Sequence, residues 1–214
     1  MILNKSDLIE YTKLIGENMP EQQVAPFIQD AETFDIIPVL PEEMFEDIME
    51  SLPSPVIAWN RNESYTIGDI IFHNNKFWMA DANNSDSEPT TSNTDWVKHE
   101  LLTLWQDYIR PLYAYYSISR WIVEHGRNGT QFGLTKQVAD TFENWSDKER
   151  AEIKSSYDSK ANHYVSLLRK ELANKSYTYD GKEYEYTCGD EKPKVKFKLW
   201  QGSTSKNNDP WQLH

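Results

Sequence analysis

The residues of this chain that can do chemistry are not grouped in the patterns that enzymes use. The five histidines do not pair at metal-ligand spacing, and they are His73, His99, His125, His163 and His214. The sequence has neither a glycine-rich phosphate loop nor a nucleophile elbow. Glu42 and Glu43 begin a predicted helix, where the helix dipole favours negative charge, and Asp69 follows Gly68 in a predicted turn. The sequence therefore predicts a protein that is not an enzyme and that holds no cofactor and no metal.

Composition indicates a folded chain rather than a disordered one. Hydrophobic residues make up 38% and aromatic residues 13% of the 214 residues, which is enough for a core. The single cysteine, Cys188, cannot form an internal disulfide, and residues 1–10 lack the features of a secretory signal. No apolar run approaches ~20 residues, so no membrane span is expected. Together these features predict folding in a reducing cytoplasm, without a membrane partner.

Acidic residues are concentrated in the first quarter of the chain. The net charge is −12, and residues 1–53 hold two lysines against twelve Asp or Glu, which gives −10. An acidic surface formed by these residues does not attract the phosphates of nucleic acid. Three interpretations stay open: a solvated face, a surface for a basic partner, or a surface that repels DNA sliding past it.

Two long amphipathic helices are the elements that must organise the fold. Residues 101–123 place apolar side chains, many of them aromatic, at intervals of three, four and seven, which is one face of a helix. Pro111 lies inside this pattern and should bend or open the helix locally. A second helix begins at a capping box of Ser146 and Glu149 and continues to about residue 172. We expect the two helices to pack antiparallel.

Shorter elements flank this pair. Three helices are predicted before residue 53: one capped by Asn4 or Ser6, one over residues 20–34, and one that Pro41 opens. Beyond them, the sequence has β character, with a hairpin turn at residues 73–75.

The predicted fold class is mainly α, a bundle of about four to five helices with a small inserted β module and an extended C-terminal arm. The ranges are 1–53 and 99–174 for the helical domain, 54–98 for the β module, and 175–214 for the arm. Trp200 and Trp211 lie in the arm and would expose a large apolar area if left alone. We therefore expect the arm to dock on a neighbouring chain.

The β module carries the sharpest local pattern in the sequence. The pattern is Trp59, Tyr65-x-x-Gly68-Asp69-x-Ile71, Phe77-Trp78-x-Ala80, a polar loop with Pro89, and Trp96. It resembles the chitin- and cellulose-binding modules of secreted glycoside hydrolases. That resemblance implies that Tyr65, Trp78 and Trp96 stack on sugar rings. The same aromatics can instead build the small core of the module or contact a protein partner.

The helical ranges carry a second set of motifs. They are Phe27-Ile28-Gln29-Asp30-Ala31-Glu32, Ile36-Ile37-Pro38-Val39-Leu40, the helix around residues 44–49, the two long helices, Gly126 and Asn128-Gly129-Thr130. In this order they resemble the adaptor, or head–tail connector, proteins of tailed phages, including phages of the crAss-like group. The inserted β module departs from the plain connector pattern, so the contacts of the outer edge of the protein stay open.

The connector resemblance implies a structural component of the phage virion neck. It implies a ring, with twelve copies as the expected number, that joins the portal to the tail and forms part of the DNA channel. The implied partners are the portal protein, further ring or tail proteins, and double-stranded DNA that passes without sequence-specific binding. The implied location is the neck or tail region of the virion, after assembly in the host cytoplasm.

Two groups of site residues follow from the ring interpretation. The acids expected to face the channel are Glu42, Glu43, Glu46 and Asp47, and the aromatics expected to contact another subunit are Trp200 and Trp211. The alternative function is that of a carbohydrate-binding protein acting at the host cell surface. The sequence does not fix the copy number, because small changes of interface angle alter the order of a ring.

Overall fold

A computed structural model describes residues 3–17, 19–127, 135–138, 141–179, 182–185 and 194–197. The helices are α1 (Lys5–Tyr11), α2 (Ala25–Ala31), α3 (Glu42–Ser51), α4 (Glu100–Leu104), α5 (Arg110–Arg127) and α6 (Asp147–Asn174). The strands are β1 (Ser64–Tyr65), β2 (Ile70–His73), β3 (Lys76–Ala80), β4 (Asn84–Ser85), β5 (Trp96–Lys98), β6 (Thr135–Val138), β7 (Thr141–Asn144), β8 (Tyr177–Tyr179), β9 (Lys182–Glu185) and β10 (Lys194–Phe197). The described residues thus form a helical bundle with small antiparallel sheets, which confirms the prediction of a helical bundle with a small β module.

Capping boxes fix the starts of the first and last helices. The Asn4 side chain accepts a hydrogen bond from the Asp7 N–H at 3.2 Å, and the Asp7 carboxylate accepts one from the Asn4 N–H at 2.7 Å. At the start of α6, Ser146 Oγ accepts from the Glu149 N–H at 3.3 Å, which confirms the predicted capping box. Each box satisfies N–H groups that have no partner inside the helix.

The helices α4 and α5 form one rod that is joined by a π-helical turn at Trp105–Ile109. This turn directly precedes Pro111, whose ring removes a backbone donor and crowds the carbonyl four residues earlier. The wider turn accommodates both effects. The predicted local opening near Pro111 is therefore confirmed.

The predicted helix over residues 20–34 is divided into three parts. A 3-10 turn at Glu21–Gln23 leads into α2, and a π-helical turn at Glu32–Ile36 extends it. Taken with the α4–α5 rod, the described residues contain five helical rods, within the predicted four to five.

The long helices α5 and α6 pack antiparallel, as expected. Tyr116 OH donates a hydrogen bond to Asn162 Oδ1 at 3.1 Å, and Ser119 Oγ donates to the Asp158 carboxylate. Residue numbers therefore rise along α5 as they fall along α6, which is the antiparallel order.

One hydrophobic core joins the N-terminal helices to the two long rods. Fully buried members of this core include Leu8 of α1, Ile28 of α2, Ile48 of α3, Leu112 of α5 and Leu168 of α6. The described helices before residue 53 and after residue 99 thus belong to a single packed unit.

The β module is attached to this unit through one face of its sheet. The strands run in the order β2-β3-β5, and Asn74 and Asn75, with φ of 49° and 59°, form the predicted turn between β2 and β3. Successive side chains of a strand point to opposite faces. Accordingly, Phe77 is buried in the helical core, while Trp78 is buried in a separate cluster inside the module.

The described part of the predicted arm forms a sheet of order β10-β9-β8. Strands β8 and β9 pair antiparallel, which places Tyr179 opposite Lys182. Tyr177 and Tyr184 are buried in the helical core, where they are 3% and 0% exposed. The prediction of an extended arm is corrected for this sheet, because burial of two large aromatic rings holds it on its own chain.

Candidate functional site

The three aromatic residues predicted to stack on sugar form the core of the β module. Tyr65, Trp78 and Trp96 are only 6%, 4% and 3% exposed. The rings of Tyr65 and Trp96 meet edge to face, with centroids 5.2 Å apart. Stacking on a sugar needs an exposed ring face, so the sugar-binding role expected for these three residues is corrected to a role in packing.

The polar atoms of the same aromatics are also used inside the module. Trp78 Nε1–H donates to the His73 carbonyl at 3.2 Å, and Trp96 Nε1–H donates to the Ser87 carbonyl at 2.9 Å. Buried indoles and phenols need such partners, because an unpaired buried polar atom is costly. The hydrogen bonds therefore support the packing role.

Three of the four acids predicted to face a channel are exposed. Glu42, Glu43 and Glu46 lie on the outer side of α3. Asp47 differs, because it is 5% exposed and its carboxylate pairs with Lys182 Nζ at 2.7 Å. The Tyr184 hydroxyl donates to the other oxygen of the same carboxylate. The prediction for Asp47 is wrong, because this side chain holds β9 against α3 instead of facing outward.

Two buried tyrosines, Tyr184 and Tyr113, are neutral donors to carboxylates that lie far from them in the sequence. Burial raises the pKa of Tyr184, and its hydrogen bond to Asp47 raises that pKa further. Burial likewise raises the pKa of Tyr113, whose hydroxyl donates to Glu32 at 2.6 Å. Both phenols therefore keep their protons at neutral pH. Tyr184 links β9 to α3, and Tyr113 links α5 to the end of α2.

A groove of about 780 Å³ lies where the β module meets the bundle, and we name it the junction groove. Its apolar lining comes from the end of α3, the following linker, the β2–β3 hairpin and the π turn before α5. The apolar lining residues are Met49, Leu52, Pro53, Pro55, Val56, Phe72, Phe77 and Trp105. Val56 is 53% exposed, so apolar surface is open to solvent at this groove.

The rim of the junction groove is charged. Arg110 donates to Asp7 and to Glu10, each at 2.9 Å, and its guanidinium lies over the Tyr11 ring, 5.9 Å from the centroid. Burial raises the pKa of Tyr11 to about 12, although the nearby Arg110 opposes this shift. Two acids against one arginine leave one net negative charge on the rim, and Glu10 is 60% exposed.

A second cleft, of about 480 Å³, lies between the end of α2 and the α5–α6 pair. Arg120 binds Asp35 through two nitrogens, at 2.6 and 3.1 Å. The same guanidinium lies 5.2 Å from the centroid of Phe34, which is 62% exposed. On the opposite wall, Asp158 accepts hydrogen bonds from Ser119 and Lys154. The cleft therefore has paired charges, and the exposed ring of Phe34 lies beside it.

His99 is a structural residue that sequence reasoning missed. Its Nδ1 accepts a hydrogen bond from the Leu102 N–H at 3.3 Å and so caps α4. The side chain is 8% exposed, and burial lowers its pKa. The sequence did hold a signal, because His99 stands directly before Glu100 and an apolar run, which is the position of a cap.

The remaining site predictions lie outside what the structure covers or concern absences. Trp200 and Trp211 are outside the described residues, so their contact with a neighbouring subunit stays a prediction. Within the described ranges, no group of three His, Cys, Asp or Glu is placed to hold a metal ion. In the same ranges, no helix has both the length and the apolar character of a membrane span.

The described residues form a mainly helical bundle with a β module on its edge, and the two clefts above lie on the surface of this part of the chain. A family of unknown function (DUF6712) matches residues 73–194, which is more than half of the chain. The chain belongs to this family. The match runs from the end of β2 through β3, β5 and the long helices to the start of β10. Comparisons with curated proteins and with solved structures found no match.

Proposed function

We propose that this chain is a structural component of a tailed-phage neck. It acts as a head–tail connector subunit that forms a ring between portal and tail and encloses part of the DNA channel. The carrying observation is that the two separate stretches with the connector resemblance, residues 1–53 and 99–174, pack into one core. A resemblance spread over two unconnected units would have no such physical basis.

Side-chain contacts tie these two stretches together at several points. Arg110 of α5 binds Asp7 of α1, and Arg120 of α5 binds Asp35 after α2. These ion pairs hold α5 against the N-terminal helices at two points that are ten residues apart. A braced helical unit suits a ring subunit, whose neighbours must meet it at a fixed angle.

A closed ring also needs two different and complementary patches on every subunit. Exposed apolar side chains occur on separate parts of the described chain. Phe34 lies beside the second cleft and is 62% exposed, while Ile67 and Val97 of the β module are 67% and 45% exposed. These residues are our candidates for the contacts between subunits.

The proposed channel surface is the exposed acidic side of α3. Glu42, Glu43 and Glu46 are exposed there, and Asp47 is removed from the predicted set. Negative charge keeps passing DNA from adhering, because it offers phosphates no counter-charge. The proposed function needs no cofactor and no reaction.

The proposal is tested by mixing the purified chain with the portal protein encoded in the same genome. Gradient sedimentation should move the chain into the portal fraction, and electron microscopy should show an added ring of density on the portal. A chain that sediments alone at every concentration tested, with portal images unchanged, would contradict the proposal.

A further inference from the structure

The junction groove has the chemistry of a site for an aromatic and basic peptide. Its floor is apolar, and Val56 on its wall is half exposed. Its rim carries one net negative charge, from Asp7 and Glu10 against Arg110. An occupant that fits would bring large apolar side chains to the floor and ammonium groups to the rim.

This chain itself contains a segment of that composition. Residues 198–214 hold two lysines against one aspartate, which gives +1. The apolar and charged residues of the segment are Lys198, Leu199, Trp200, Lys206, Asp209, Trp211 and Leu213. The segment is thus complementary to the groove both in charge and in apolar content.

The segment also begins close to the groove. Phe197 of β10 pairs with Lys182 of β9, whose ammonium binds Asp47 of α3. Leu52, which lines the groove, follows Asp47 by five residues, about 8 Å along a helix. At about 3.3 Å per extended residue, Trp200 reaches about 10 Å and Trp211 about 46 Å beyond Phe197. The greater of these lengths is several times the 8 Å between Asp47 and Leu52, so the segment is long enough to extend to the floor.

We propose that residues 198–214 of the same chain occupy the junction groove in the free subunit, with indole rings on the apolar floor and a lysine beside Glu10. Tethering favours this arrangement, because an attached segment meets its site at high effective concentration. The proposal does not depend on the proposed function, since it concerns the single chain. A segment held this way would have to leave its groove before it could contact another subunit.

Zero-length carbodiimide cross-linking of the full chain tests this proposal. The reagent joins a carboxylate to an amine only when the two are in contact, so we expect an amide between Glu10 or Asp7 and Lys198 or Lys206. The sample is an equal mixture of ¹⁴N- and ¹⁵N-labelled chains, and peptide mapping identifies the linked pairs. Same-chain docking predicts linked peptides of uniform label.

Variants with matched controls sharpen the test. Both Val56→Asp and the double variant Trp200→Ala/Trp211→Ala should lower the cross-link yield by about tenfold, because each removes apolar contact from the groove. Ile57→Asp is the control for the first, because Ile57 directly follows Val56 and is also 53% exposed but is not a lining residue of the groove. Gln212→Ala is the control for the second. Both controls should keep the wild-type yield.

Three results would overturn the proposal. One is the absence of any cross-link between the segment and the rim acids. Another is a set of linked pairs that mix the two labels, which would assign the occupant to a second copy. The third is a yield that the groove and tryptophan variants leave unchanged. None of these results depends on whether the chain forms a ring on a portal.

Discussion

The contact of Asp47 with Tyr184 should hold the C-terminal sheet on the bundle. This contact is tested by removing the hydroxyl group with Tyr184→Phe or the negative charge with Asp47→Asn. Tyr184 is 0% exposed and donates to an ionised carboxylate that is itself 5% exposed. Because neither group can turn to water, each loss should appear in the free energy of unfolding.

The expected loss in the free energy of unfolding follows from the geometry of the Tyr184–Asp47 hydrogen bond. A hydrogen bond to a charged group contributes about 1.5–3 kcal/mol, so Tyr184→Phe should lose about 2 kcal/mol. Asp47→Asn should lose at least as much, because it also removes the ion pair with Lys182. After Tyr184→Phe, Lys182 still binds Asp47, and this remaining ion pair limits the loss in the free energy of unfolding. The Lys182 side chain is 25% exposed. For a chain of this size, 2 kcal/mol corresponds to a fall in Tm of about 4–8 °C.

Chemical denaturation of the wild type, the two single variants and the double variant completes a thermodynamic cycle. We expect a coupling energy of about 2 kcal/mol between the two positions, close to the whole loss of Tyr184→Phe. Glu46→Gln is the matched control, because Glu46 neighbours Asp47 on α3 but is exposed, and it should change stability by less than about 0.5 kcal/mol. A coupling energy near zero would refute the reasoning that β9 is fastened to α3 through this carboxylate.

Three further predictions follow from other parts of the chain. Burial lowers the pKa of His99 below 6.5, so the stabilising effect of this residue should be complete above pH 6.5 and should be lost as pH falls through the lowered pKa. Denaturation of the wild type at several pH values should show this loss. The variant His99→Asn should not show it, because asparagine keeps an oxygen that can cap α4. Trp78→Ala should destabilise the β module by about 3–5 kcal/mol, measured by thermal melting, whereas an unchanged melting curve with loss of chitin binding would restore the sugar-stacking role. Replacing Glu42, Glu43 and Glu46 together by Gln should increase retention of double-stranded DNA in a filter assay, and unchanged retention would argue against their role in repelling DNA.

Local signals in the sequence were sufficient for many elements of the fold. The capping residues Asn4 and Ser146, the turn at Asn74 and the opening before Pro111 all depend on contacts within a few residues. The antiparallel α5–α6 pair was also predictable, because an aromatic face that wide must be covered by another long apolar face.

Contacts between distant residues account for what the sequence did not reveal. Asp47 was grouped with its exposed acidic neighbours, although it lies three residues after Met44 and one before Ile48, on the buried side of α3. Its partners come from β9, far along the chain, so no local pattern could name them. The helical period alone could have separated Asp47 from Glu46.

The aromatic residues of the β module show a second limit of sequence reasoning. Alternation along β3 predicts that Phe77 and Trp78 point to opposite faces, and they do. The sequence cannot tell that both faces are covered, one by the bundle and the other by Tyr65 and Trp96. An aromatic pattern that suits stacking on sugar therefore also suits a small two-sided core.

Native mass spectrometry of the chain mixed with its portal protein tests the central claim most directly. A connector subunit predicts a complex in which one closed ring of the chain, twelve copies in our proposal, adds its mass to the portal ring. A spectrum that contains only free chain and free portal, at every mixing ratio, would contradict the claim that this chain joins the portal to the tail.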